Sequence, residues 1–476
     1  MERLLEDNDL GYAFQSNLLE LATTPWLSSR PQAHRYIQFD LPAWSKKIAK
    51  KKGKQLISFI SGFKSGEYIA KKNYVNDETN FIYLSVACFS GEDIALDKSN
   101  YIKENIGHQY KQLFLNEGDL VVTRSGTVGS WHLFNASEDK KYIPSHHLSF
   151  TRISDQRVRF FLKYYLNSRH ILPYIQAYST GKSQKEINNW SIKRIPIPTE
   201  IDFGSIDSQI EKIEQQIKHI QQKIESLQDV IDEILVEFGI KKEKFHLNPQ
   251  EVFKNQFCTI GNNSFLRAGA QYHAFYAVHR SRLFDSTPKD IPLKRLGTII
   301  GLLRNTVFKK GILDDEYILL DLEQLKAKTG KIITEDNIVS EIGSDKVVFG
   351  DADIVISKID PYLAYVFIND KDKRYIGSTE LLPFKLINGD IDIHYLKYLL
   401  LSHDYIQKSG LLMYGKRHPR IHHKDLLAIQ IPAPRREIQE KIVAKIQTRE
   451  LKSDKYREEI KKLRGQIDDI IYEAIK

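Results

Sequence analysis

A chain of 476 residues is too long for one ordinary domain and corresponds to roughly three units of ~150 residues each. Its 41% apolar and 11% aromatic content is enough to build cores, which excludes a disordered chain. Lys and Arg outnumber Asp and Glu by 70 to 61, and the resulting net charge of +9 favours a polyanionic partner without requiring one.

The first residues, Met1 to Phe14, include early acidic side chains and no apolar core of signal-peptide length, and no run approaches the ~20 apolar residues of a membrane span. Cys88 and Cys258 lie far apart and outside any CxxC context, which argues against a disulfide framework or a zinc finger. A cytoplasmic protein with no membrane partner is expected.

In chain order, Phe81 to Val86 reads as a strand, and Gly118-Asp119 and Gly126 to Gly129 read as turns around a buried strand, Leu120 to Thr123. Arg159 to Leu166 has a helical pattern. After Pro198, apolar residues recur at Ile206, Ile210, Ile213, Ile217, Ile220, Ile224, Leu227, Ile231, Ile234 and Phe238. Alternating steps of four and three predict one long coiled-coil helix. Ile354 to Ile356 reads as a strand in the second half. A second long helix then runs through Ile442, Ile446, Tyr456, Ile460, Leu463, Ile467, Ile470 and Ala474, with Arg449 and Ser453 interrupting its seam.

The chain is written twice. A shift of 234 positions lays Leu120 to Arg124 on Ile354 to Lys358, Phe150 on Phe384, Gly181-Lys182 on Gly415-Lys416, Ile187 on Ile421, and Ile195, Ile197 and Pro198 on Ile429, Ile431 and Pro432. Five residues are then lost, and Glu211-Lys212-Ile213 pairs with Glu440-Lys441-Ile442. Upstream the match thins to Arg30 and Ala33 over Arg267 and Ala270. Duplication alone says nothing about a ligand.

The predicted order is an N-terminal extension (1–29), a globular domain (30–200), a central helix (201–240), a second domain (241–434) and a C-terminal helix (435–476). An apolar stripe of this length must be covered, and the chain supplies two. An antiparallel pair within one molecule is the economical solution, and a coiled coil with a second copy is the alternative. Ile at both seam positions also favours more than two helices, which would admit helices from a partner. The expected interface residues are Ile210, Ile213, Ile217, Ile220, Ile224, Leu227, Ile231, Tyr456, Ile460, Leu463 and Ile467. Removing one heptad, Ile210 through Gln216, is expected to keep the seam and shorten the spacer.

Basic residues gather at Lys46 to Lys54, at Lys182 and Lys185 beside Gln184, Asn188 and Asn189, and at Lys416, Arg417, Arg420 and Lys424 beside His418, His422 and His423. The last two clusters are equivalent in the repeat. Loops that mix Lys and Arg with Asn, Gln and His can touch phosphates and read base edges. Arg124 and Lys358, which end the repeated strands, join these candidates for DNA contact.

In this pattern the chain resembles the specificity subunits of Type I restriction-modification enzymes, from about Arg30 onward. The residues that carry the resemblance are Gly118-Asp119-Leu120-Val121-Val122, with Ala352-Asp353 in the second copy; Gly181, Gln184, Ile187 and Ile195-Pro196-Ile197-Pro198; Gly415, Ile421 and Ile431-Pro432-Ala433-Pro434; and Gln209 or Gln439 entering each helix. The resemblance implies duplicated α/β (α+β) target-recognition domains, separated by two long antiparallel coiled-coil helices with internal pseudo-twofold symmetry. Each domain would read half of a split site on double-stranded DNA. The helices would fix the gap and dock DNA methyltransferase subunits and a restriction/translocase subunit. S-adenosylmethionine and ATP would belong to those partners, with no cofactor in this chain. The first thirty residues and the poor second Gly-Asp copy depart from the family pattern.

Enzyme readings are weaker. Asp360-Pro361-Tyr362 lacks the second proline of an adenine methyltransferase element and reads as a turn. Thr180-Gly181-Lys182-Ser183 lacks the earlier glycine of a phosphate-binding loop, with Gln176 in its place. His146-His147 and His422-His423 have no ligand partners at metal spacing. The competing readings are a self-contained DNA adenine methyltransferase, testable by S-adenosylmethionine calorimetry, and a coiled-coil structural homodimer, whose self-association would survive loss of the globular halves.

Overall fold

A computed structural model describes residues 53–242 and 270–475, apart from 76, 90–93, 136–138, 169–170, 172–173, 176–177, 180–184, 278, 305 and 416. The N-terminal extension, the lysines from Lys46 to Lys52, the upstream Arg30 match, Cys258, Lys182, Gln184 and Lys416 lie outside the described residues. The described residues fall into two compact units, one running up to residue 221 with the helix from 458 onward, the other between 222 and 457. Both mix helix and strand.

In the first unit, β1 (Ile60–Ser65), β2 (Leu120–Thr123), β3 (Trp131–Leu133) and β4 (Leu148–Ile153) form a sheet in the order β1-β4-β2-β3, antiparallel throughout. All four residues of β2 are buried, as expected of the uninterrupted apolar run Leu120-Val121-Val122. A second sheet holds Phe81–Leu84, also buried throughout and parallel to Lys141–Pro144. Ile82, Phe89, Val121, Phe134, Leu148 and Phe150 fill the core. The Ile-Pro segment closes the unit as a short strand, Pro196–Pro198 on Gly53–Gln55. Proline is tolerated there because the pair has no further neighbour needing its missing N–H.

The predicted helix at Arg159 forms as α1 (Arg159–Asn167), and α2 (Phe203–Gln221) follows the closing strand. The two helices pack together. Asp207 Oδ1 accepts the Phe161 N–H at 2.7 Å, Tyr164 donates its hydroxyl to Glu214 at 2.6 Å, and Lys163 and Arg159 pair with Glu214 and Glu211. This docking alters the expected result of the heptad excision: removing 210–216 also removes Glu211 and Glu214, the anchors of α2 on α1.

The second unit repeats the strand order. β5 (Ile300–Leu302), β6 (Ile354–Ser357), β7 (Val366–Ile368) and β8 (Leu381–Leu386) pair as β5-β8-β6-β7, again antiparallel. The parallel contact recurs between Ile318–Leu320 and Tyr375–Gly377, and the closing strand between Gln430–Pro432 and Leu293–Arg295. Asp360-Pro361-Tyr362 is a turn: Pro361–Leu363 make one 3-10 turn between left-handed residues at Asp360 and Ala364.

The first long helix is not continuous. It stops at Gln221, and α3 (Leu227–Glu237) begins only after an interruption at 222–226, so the expected single helix over 201–240 is corrected to two. Polar groups on the second long helix explain the break. α4 (Ile393–Leu399) precedes that helix, α5 (Arg436–Ile475), whose 40 residues span about 60 Å. The Glu225 N–H donates to the Ser453 hydroxyl at 3.4 Å instead of continuing the helical ladder, and the Glu225 carboxylate takes the Arg449 guanidinium. Arg449 and Ser453 are the residues that interrupt the α5 seam in the sequence.

Within this unit α3 and the first half of α5 run antiparallel. Contacts pass from Glu225 with Ser453, through Glu233 with Arg449, to Glu237 with Lys445. Val230, Ile231, Ile234 and Leu235 share a core with Ile442, Val443 and Ile446. Among the expected seam residues, Ile210, Ile217, Ile220, Ile231, Ile460 and Ile467 are buried, whereas Ile213, Ile224, Leu227, Tyr456 and Leu463 are half-buried. At the C-terminal end of α5 the buried positions are Ile471 and Ile475, with Ile470 and Ala474 half-buried. The stripe has moved by one residue, as a straight 3.6-residue helix does against a 3.5-residue repeat.

Candidate nucleic-acid interface

Arg124 follows the last residue of the repeated strand β2, and the loop carrying Glu186 comes back to it. Ser125 and Glu186 form an antiparallel bridge, and Ile187 N–H donates to the Arg124 carbonyl at 3.1 Å. The Arg124 guanidinium bonds the Glu186 carboxylate at 2.6 Å, the Ser65 hydroxyl at 3.0 Å and the Asn189 side-chain oxygen at 3.4 Å. Asn189 in turn donates to Ser65 at 2.7 Å and accepts from Ser149 at 2.9 Å. The result is a polar cluster that holds one cation in place.

Two histidines and a tyrosine border it. His147 Nδ1 lies 2.6 Å from the Ser125 hydroxyl, the His146 and His147 rings are 3.8 Å apart, and Tyr68 meets His146 edge-on at 5.4 Å. Burial, then the neighbouring His147 and Arg124, lower the pKa of His146, so its ring is neutral near pH 7. Tyr68 is 64% exposed. Gly66 makes this approach possible, since a Cβ there would fall 2.2 Å from the Pro144 carbonyl oxygen.

The second unit builds the same backbone frame. Ile359 and Arg420 form the antiparallel bridge, and Ile421 N–H donates to the Lys358 carbonyl at 2.8 Å. Tyr414 and Arg420 exchange backbone hydrogen bonds at 2.9 Å each, closing a loop that turns through Gly415 and His418, both at positive φ. Arg420 is bidentate on Glu380 at 3.0 Å, and Lys358 approaches the same carboxylate at 3.8 Å. Tyr362 and Tyr414 are exposed, Tyr414 near the Arg420 side chain.

The candidates named from sequence therefore separate. Arg124, Asn189, Lys358 and Arg420 come together around a carboxylate in their own unit. Lys185, Arg417 and Lys424 are exposed. Asn188 is a helix cap, accepting the Ser191 N–H at 2.9 Å, so its side chain is already used in the fold. Lys182, Gln184 and Lys416 lie outside the described residues. Sequence reasoning missed Ser65, Tyr68, Glu186, Glu380 and Tyr414. The 234-residue shift held a signal for two of them, because it sets Glu186 over Arg420 and His146 over Glu380. Among the described residues no group of His, Cys, Asp and Glu is arranged to hold a metal ion, and no helix is long and apolar enough to cross a membrane.

The family model for the Type I restriction modification DNA specificity domain matches residues 315–463, within the second half of the chain. The resemblance to Type I specificity subunits is thereby borne out over that part of the chain. Among solved structures the chain is similar to the Type I restriction-modification S subunit from M. genitalium, at 14% identity over 89% of this chain and 96% of that one, with a TM-score of 0.38. It is also similar to the HsdS subunit from Thermoanaerobacter tengcongensis, over 89% and 95% of the two chains, at 14% identity and a TM-score of 0.30. A chain from a structure on complex assembly and conformational transition of the type I R-M system aligns over 92% and 98%, at 14% identity and a TM-score of 0.37. No curated protein matches the sequence.

Proposed function

We propose that the chain is the sequence-reading subunit of a Type I restriction-modification complex, itself non-catalytic, in which each unit is a target-recognition domain for one half of a bipartite duplex site. The observation that carries this reading is the paired frame. In both units a downstream loop bridges back to the end of the repeated strand, setting Glu186 on Arg124 in one and Arg420 on the carboxylate that Lys358 approaches in the other, with exposed Tyr68 or Tyr414 nearby. Cations, the neutral His146 ring and aromatic edges together suit phosphates and base edges. The repeated strand order supports two copies of one domain, and the family model supports DNA as the partner.

The half-buried seam residues of α2 and α5, among them Ile213, Tyr456 and Leu463, supply the docking faces for methyltransferase and restriction subunits in this reading. S-adenosylmethionine and ATP are assigned to those subunits. Selection from a random duplex library with the full chain tests the reading. The expected outcome is two short specified blocks separated by a fixed unspecified gap. Binding that ignores sequence would sink it.

A second expected outcome concerns salt. Each phosphate-contacting cation adds ~0.9 to the slope of log K against log salt, so Lys185→Gln and Lys424→Gln should each lower the slope by about one and leave base preference unchanged. Titrations at four salt concentrations measure it.

A further inference from the structure

The two units place opposite charges at one structural position. Glu186 and Arg420 are 234 residues apart, each makes the antiparallel bridge to the second residue after the repeated strand, and each precedes an isoleucine that donates to the carbonyl of Arg124 or Lys358. The backbone is therefore common to both units. The side chain is an acceptor in one and a donor in the other.

The supporting residues have changed with it. In the first unit Arg124 balances Glu186, and the position answering Glu380 is His146. In the second unit Arg420 is balanced by Glu380, which also receives Lys358. Each triad thus keeps one carboxylate, but it has moved from the loop to the neighbouring strand end. Of the ion-paired side chains in each triad the loop residue is the most exposed, with Glu186 at 48% against 20% for Arg124, and Arg420 at 37% against 30% for Lys358 and 22% for Glu380.

The bonds of Arg420 also leave a defined edge. Its Nε and one Nη2 hydrogen go to Glu380, and one Nη1 hydrogen goes to the His418 carbonyl at 3.1 Å. Five guanidinium N–H groups less these three leave one N–H on each terminal nitrogen. Two such donors on an arginine fixed by a carboxylate suit the O6 and N7 acceptors of guanine. A carboxylate held by an arginine, as Glu186 is, matches the N4 amino donor of cytosine.

We infer that residues 186 and 420 are one base-reading position with inverted hydrogen-bond polarity, Glu186 accepting from cytosine in the first half-site and Arg420 donating to guanine in the second. The inference rests on the DNA-reading function proposed above. Glu380 and Arg124 are positioning residues: they orient the reading side chain and need not touch the base.

Duplex-library selection with the full chain tests it. Arg420→Gln should move the preferred base at one position of one block from guanine to adenine, by about tenfold or more, since glutamine matches adenine. The pair Glu186→Arg with His146→Glu gives the first unit the second unit's loop arginine and strand-end carboxylate and should turn a preferred cytosine in the other block into guanine. If that pair fails to fold by circular dichroism, Glu186→Gln carries the test through loss of the cytosine preference. A parent chain that selects no sequence overturns the DNA-reading function and this inference together. A parent that selects a bipartite site while the variants weaken all sequences equally, or shift nothing, overturns the inference alone.

Discussion

Lys241→Met is expected to destabilise the second unit by about 3–5 kcal/mol, a cost typical of removing one partner from a buried ion pair. The Lys241 side chain is 1% exposed and lies between two carboxylates, 2.9 Å from Asp232 on α3 and 2.7 Å from Asp404 on the helix His403–Leu411. Its ammonium group also sits 5.2 Å from the centre of the Phe284 ring. Without it two carboxylates remain in the interior, and burial already raises the pKa of Asp404 even with the lysine present. Urea unfolding at pH 7 measures the loss as a lower midpoint with an unchanged slope. The triple variant Lys241→Met, Asp232→Leu, Asp404→Asn should recover at least half of it, because the stranded charges are gone. A single variant as stable as the parent would show that the three charges are not mutually dependent.

That cluster bears on how α3 is held. Lys241 ties the end of the α3 segment to the globular part of its own unit, as Glu214 ties α2 to α1 in the other. α2 and α3 are thus tied to the folded part of their own units. Sequence periodicity could not show this. An apolar stripe states that a face will be covered, and the polar residues that dock its flanks, Asp207, Glu211 and Glu214, look like an ordinary solvated face.

The β-strands were the legible part of the fold. Leu120-Val121-Val122 and Ile354-Val355-Ile356 are uninterrupted apolar runs bounded by Asp and by a hydroxyl residue, and both became fully buried central strands. The break at 222–226 was not legible, because Ile220, Ile224 and Leu227 carry the four-three rhythm straight through it. Its cause lies more than two hundred residues away, in Arg449 and Ser453. Those two residues could be seen to spoil their own seam, but a spoiled seam predicts loose packing as readily as a partner's broken helix.

At the candidate interface the cations were readable and their balance was not. A count of Lys and Arg treats Arg420 and Lys424 alike, whereas Arg420 is fixed on Glu380 and Lys424 is exposed. The difference matters for function, since a cation fixed in a fork can discriminate between bases, and a solvated one mainly adds charge against phosphate.

Two buried groups in the first unit should make its response to acid nearly flat, and separating them is the second large effect expected. His132 is buried, and that burial lowers its pKa to about 4. Its contribution is fully present above ~6.5, the unfolded value, and is lost as pH falls towards the folded value, about 3 kcal/mol in all. Burial raises the Asp207 pKa to about 6, although hydrogen bonds from Phe161 and Phe160 oppose the shift. Its contribution runs the other way, full below ~3.8 and lost as pH rises through the folded value, about 2–3 kcal/mol. His132→Gln should therefore leave a unit that grows more stable as pH falls from 7 to 4. Asp207→Asn, which keeps an acceptor for the Phe161 N–H, should leave one that grows less stable over the same range. Urea midpoints at pH 7, 5.5 and 4 distinguish the slopes. Parallel curves for the two variants would mean that neither group titrates in this window.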